Sequence, residues 1–88
     1  MDRQTILEAA LETVTGHRVE DYGKPENNFQ TIAELWTVYK GQQFTAHDVA
    51  MMMALLKVAR IKSNHGSSDS YIDLAGYAAC AAEIGIGA

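Results

Sequence analysis

Between Val49 and Leu56 the sequence reads VAMMMALL, with no polar side chain. No other stretch constrains the fold as strongly, because a helix that is apolar all round has no face to offer water and is expected to be buried all round. The run is too short to cross a bilayer, which takes about 20 apolar residues. The surrounding segment, Thr45 to Asn64, therefore predicts a central helix with other elements packed around it. Lys57 and Arg60 follow the apolar run about 60° apart on a helical wheel, so positive charge leaves the core on one side.

Three flanking segments carry helical patterns of their own. The first opens at Asp2 or at Thr5, where Thr5-Ile-Leu-Glu8 fits a capping box. Ile6, Leu7, Ala10, Leu11 and Val14 then recur at helical spacing until Gly16 breaks the pattern. Residues His17 to Lys24 read as a connector. Pro25 suits the first turn of the next helix, Phe29, Ile32, Ala33 and Trp36, extended by Tyr39, give it a wide apolar face, and Lys40-Gly41 is a stop signal. Thr45, with Asp48 three residues on, forms a capping box for the central helix, which Gly66 is expected to close. Ser67-Ser68 offers the next cap. The last helix, from about Asp69 to Ile84, is dense in alanine, and small residues let helix axes approach closely. The tail Gly85-Ile-Gly-Ala is expected to fray.

The reading is an all-α, compact four-helix domain spanning residues 1–88 as a single unit. Such a chain hides only roughly 60–70% of its unfolded surface, and Cys80, the one cysteine, allows no intrachain disulfide. A small core without a staple points to completion by homo-oligomerisation, as a dimer or a dimer of dimers. With no signal-peptide pattern, the expected location is cytoplasmic and reducing, with no membrane partner.

The net charge of −4, with acids spread along the chain, argues against duplex DNA as a partner, since DNA binders present a basic stripe to the phosphates. A small phosphorylated ligand needs only two or three local cations. Lys57 and Arg60 fit that need as a point charge and a guanidinium fork. They fit equally well as structural partners of Asp69 and Asp73, which share one face of the last helix. Those two acids either favour the positive end of their helix or supply hard oxygen ligands to Mg²⁺, with Asp48 as a third. Asn28 reads as a cap or a ligand-facing amide. Tyr22 and Trp36 either stack on a base or fill the core. The methionines Met51–Met53 read as a core plug. His17, His47 and His65 lack the spacing of a zinc site.

The succession Asp21-Tyr-Gly-Lys-Pro25, Asn28-Phe29, Ile32-Ala33 and Leu35-Trp36 resembles a small domain of unknown function common in phage and prophage genomes. The blocks Asp48 to Arg60 and Asp69-Ser-Tyr-Ile-Asp-Leu-Ala-Gly-Tyr77 extend that likeness over nearly the whole chain. More distantly, the chain is similar to the all-α MazG-like nucleoside triphosphate pyrophosphohydrolases, which hold Mg²⁺ with ExxE and ExxD pairs on successive helices. Asp48 and Asp73 fall where the first and last of those acids would stand. Met51 and Met52 occupy the neighbourhood of the second, and Asp69 precedes Asp73 by four residues rather than three. The phage family carries no established activity, and the departure from the MazG-like acid pattern leaves a nucleotide-sized pocket without a complete metal site. The leading reading is non-catalytic binding of a nucleotide or a nucleotide-derived signal, with no cofactor. In a phage, that role would be to sequester a host immune messenger. The ligand set is Lys57, Arg60, Tyr22, Asn28, Trp36, Asp73 and Tyr77. Two alternatives stand beside it: a Mg²⁺-dependent pyrophosphohydrolase using Asp48, Asp69 and Asp73, and a helical protein-interaction module.

Overall fold

Asp2, not Thr5, starts the first helix. Its carboxylate accepts a 2.8 Å hydrogen bond from the Thr5 amide, which satisfies one of the free donors of a first helical turn. Glu8 instead accepts from the Gln4 side chain. The computed structural model describes residues 1–16, 19–20 and 23–87. Helix α1 runs Arg3–Thr15, α2 Pro25–Lys40, α3 Ala46–Ser63 and α4 Ser68–Ile86. This is the all-α four-helix architecture that the sequence predicts. Among the described residues, no helix is long and apolar enough to cross a membrane.

Local chemistry sets most of the boundaries. Pro25 occupies the first turn of α2, and Gly41 ends it in the left-handed region at φ 69°, where a side chain would be strained. At the start of α3, the Asp48 amide donates to Thr45 Oγ1 and the Thr45 amide donates to Asp48 Oδ2, completing the capping box. The ends of α3 and α4 differ from expectation. Helix α3 stops at Ser63, with Asn64 as its cap, because the Asn64 side chain accepts from the Gly66 amide and turns the chain early. Helix α4 continues through the glycine-containing tail to Ile86, where Gly87 caps it at φ 76°.

Helix α4 packs against all three other helices and most extensively against α3; α1 lies on α4, and α2 lies across α3. Phe29 and Ala33 of α2, Val49 and Ala50 of α3 and Ala81 of α4 form the buried cluster. Ala33 and Ala50 have no exposed surface, so the α2 and α3 backbones meet at small side chains and the axes come close. Gly76 serves the same purpose between α4 and α1, where an added Cβ would lie 3.2 Å from Val14 Cγ1.

The central helix is not buried all round. Val49, Ala50 and Ala54 face the core, but Leu55 is 64% exposed and Met51 and Met52 are 43% and 42% exposed. Of the three methionines, only Met53 packs against the buried cluster. An all-apolar run carries no signal for which side faces inward, and the two helices that pack against α3, α2 and α4, cover only one side.

Candidate functional site

A cavity of about 470 Å³ opens where α1, α2 and α4 diverge, with Met53 of α3 at its base. That volume lies within the range of small-molecule sites, roughly 300–1,000 Å³. Its walls are mostly apolar. Phe29 and Ile32 come from α2 and Tyr77 from α4, and the Phe29 and Tyr77 rings meet at a centroid distance of 6.0 Å and a tilt of 39°. Gly76 lets α1 approach α4 at Val14, and Val19, Gly23 and Pro25 complete the lining on the side toward α2.

Three polar groups converge on this space: Asn28 from the exposed side of α2, Thr13 from α1 and Asp73 from α4. Thr13 Oγ1 is already spent, donating to the Ala9 carbonyl at 2.9 Å. Asp73 Oδ2 lies 3.0 Å from Lys57 Nζ, with 15% of the lysine side chain and 32% of the aspartate side chain exposed. Lys57 thus reaches the cavity through Asp73. An ion pair this far withdrawn from water lies between the exposed and buried regimes, so it fixes geometry more than it adds stability.

Of the residues singled out from sequence, Asn28, Asp73 and Tyr77 line the cavity and Lys57 is tied to it. Arg60 is exposed on α3 and away from the cavity lining. Trp36 is a core residue. Its ring packs edge-on against Phe44 at 5.9 Å, and Phe44 is held there by a hydrogen bond from its amide to Thr37 Oγ1. Tyr22 and His17 lie outside the described residues. The three acids of the metal alternative stand apart in role: Asp48 caps α3, Asp73 pairs with Lys57, and Asp69 is exposed in the first turn of α4. Among the described residues, no group of three His, Cys, Asp or Glu side chains is placed to hold a metal ion.

Sequence reasoning passed over Phe29 and Cys80 as site residues. Phe29 reads as ordinary core by its spacing, and Cys80 sits in an alanine run that suggests only small-residue packing. Cys80 in fact lines the cavity and a second, smaller one of about 380 Å³ that shares the same wall. Burial pushes the Cys80 thiol above its ordinary pKa, and the carboxylates of Glu83 and Glu26 add to the shift. The thiol is therefore protonated and slow to react near neutrality.

Comparison with known proteins places this geometry in a phage setting. The chain is 48% identical over 75 residues to the Gene 55 protein of Mycobacterium phage L5, covering 84% of this chain and 48% of that protein. It is 41% identical over 81 residues to the Gene 55 protein of Mycobacterium phage D29, covering 92% of this chain and 54% of that one. The chain therefore spans about half the length of these curated relatives. No solved structure matches it. A family model, "Domain of unknown function (DUF6378)", matches residues 5–85, from the first turn of α1 to the end of α4. Apart from Arg3, Gln4 and Ile86, all four helices fall within that match, as does the cavity lining, and the chain belongs to the DUF6378 family.

Proposed function

We propose that this protein binds a nucleotide-like small molecule in the cavity between α1, α2 and α4 and holds it without turning it over. One observation carries the reading. Asn28, Asp73 and Tyr77, three members of the ligand set proposed from sequence, converge on a single apolar-walled space of about 470 Å³.

The geometry reassigns the roles within that set. Arg60 is exposed and outside the cavity lining and Lys57 is already paired with Asp73, so a phosphate gains Lys57 only by displacing a carboxylate. The base or nucleoside part then carries most of the binding, against Phe29 and Tyr77. The Asp73 carboxylate accepts from N–H donors on the base edge and the Asn28 amide reads a neighbouring position. Phosphates, if present, lie at the mouth, where the negative charge of Asp73 does not oppose them. The phage origin of the relatives supports sequestration of a host nucleotide signal in the host cytoplasm as the biological role.

Cys80 provides the test. Its alkylation by N-ethylmaleimide should rise steeply with pH above the range of an ordinary free thiol, because its pKa is raised. At a fixed alkaline pH, a ligand seated in the cavity should slow that reaction several-fold and raise the melting temperature. A ligand at a hundredfold its dissociation constant stabilises by about 2.7 kcal/mol. Asn28→Ala removes an exposed side chain and should abolish the protection while leaving the unliganded protein as stable as before. A panel of nucleosides, nucleotides and cyclic dinucleotides that neither slows alkylation nor shifts melting would retire the proposal. Release of pyrophosphate from a triphosphate with Mg²⁺ would replace binding by hydrolysis.

A further inference from the structure

The outer side of α3 is an apolar helix face bounded at its two ends by opposite charges. On a helical wheel at 3.6 residues per turn, Val58, Met51, Leu55, Ala59 and Met52 fill an arc of about 120° on the side away from Val49 and Ala50. Leu55 is 64% exposed, Val58 48%, Met51 43% and Met52 42%. The charged residues within that arc are Asp48 at its start and Lys62 at its end. Leu55 stands midway, seven residues from each. Leu7 and Leu11 on α1 and Leu35, Val38 and Tyr39 on α2 are exposed as well, but on neither of those faces does an acid precede and a base follow within the same arc of the helical wheel.

The molecule also exposes more surface than a chain of its size should. Its accessible surface is 6275 Å², whereas a folded monomer of 9.6 kDa is expected to expose about 5,100 Å². Its radius of gyration is 13.5 Å against about 12 Å for a self-sufficient domain of this length. The excess of roughly 1,200 Å² is comparable to the ~800 Å² that each partner buries in a standard interface. The core agrees: among the described residues, Val49 is the one large side chain fully withdrawn from water.

We infer that α3 packs against α3 of a second copy of this chain, antiparallel, about a two-fold axis at Leu55. A two-fold contact is isologous, so each surface must complement itself. With the axis at Leu55, Asp48 of one copy faces Lys62 of the other, twice, and Met51 faces Ala59, a large residue against a small one. A parallel pairing would instead stack Asp48 on Asp48 and Lys62 on Lys62. The capping bond engages Asp48 Oδ2, which leaves Oδ1 for the pairing. The cavity is served by Met53 and Lys57 on the opposite side of the helix, so dimerisation leaves both cavities open and this pairing stands or falls apart from the binding proposal.

The test is sedimentation equilibrium combined with cysteine cross-linking in a Cys80→Ser background. The wild type should sediment at twice 9.6 kDa at micromolar concentration. Leu55→Glu should run as a folded monomer with unchanged helical circular dichroism, because it removes no core contact. Lys62→Glu should raise the dimer dissociation constant on the order of tenfold, from two opposed charge pairs of up to about 1 kcal/mol each. Leu55→Cys should cross-link to itself, whereas Met51→Cys should cross-link to Ala59→Cys and not to itself. A monomeric wild type would overturn the inference, leaving the stripe for another segment or partner. So would a dimer that survives Leu55→Glu, or self-linking of Met51→Cys as fast as that of Leu55→Cys.

Discussion

The two sides of α3 share a composition and differ in what they do. Toward the core lie Val49, Ala50 and Ala54, all buried, with Met53 below the cavity and Lys57 tied to Asp73. Away from it lie Met51, Leu55 and Val58, at least 43% exposed. Both sides are apolar, yet only the inner one is matched by small residues on the facing helices, Ala33 of α2 and Ala81 of α4. Hydrophobicity makes a surface seek cover, and complementary shape decides which surface gets it. A helix apolar on both sides can therefore serve a core and an interface together.

The largest expected effect sets one side against the other with the same substitution. Val49→Asp puts a charge where there is no exposed surface and no partner, and should cost on the order of 3–5 kcal/mol, much of the stability of a small domain. Leu55→Asp puts the same charge in water and should leave the fold intact. Thermal melts followed by circular dichroism separate the two, and similar melting temperatures would mean that the sides are not distinct.

A smaller contrast lies at the edge between the sides. Lys57→Met leaves Asp73 without its cation, half-withdrawn at the cavity wall, and should cost about 1–2 kcal/mol, between the exposed and buried regimes. Arg60→Met, at an exposed position, should change stability by less than about 0.5 kcal/mol. Urea denaturation of both variants checks the order, and a reversal would place Arg60, not Lys57, in the structural role.

The smallest effect concerns the end that both sides share. Thr45→Ala removes one half of the capping box and should cost about 1 kcal/mol without altering the oligomeric state. Ser67→Ala should cost only a few tenths of that scale, because Ser67 makes no side-chain cap bond to the backbone of α4. Equal losses at the two positions would show that sequence identity at a cap, rather than the bond itself, carries the stability.

Where the sequence succeeded, the cause was local. The limits of α2 at Pro25 and Lys40, the left-handed Gly41 and the Thr45–Asp48 box depend on hydrogen bonds and backbone angles within a few residues, so four helices and most of their ends were legible. The choice between Asp2 and Thr5 was not, since both residues can cap and only the wrapping of the first turn decides. The candidate site was legible in part. Asn28, Asp73 and Tyr77 stood out as polar or aromatic residues in otherwise apolar segments. Trp36 stood out for the same reason but found Phe44, a partner outside its own helix.

The amino-acid sequence by itself determined an all-α chain, the limits of α2 and the start of α3, and a central helix that is apolar on more than one side. Only the tertiary structure decided which side of α3 meets the core, that Lys57 rather than Arg60 pairs with Asp73, and that Phe29 and Cys80 face a cavity. Capping and helix propensity act over one turn and are written in neighbouring residues. The rotation of a uniformly apolar helix about its own axis is fixed by the shapes packed against it, and those come from residues distant in the chain.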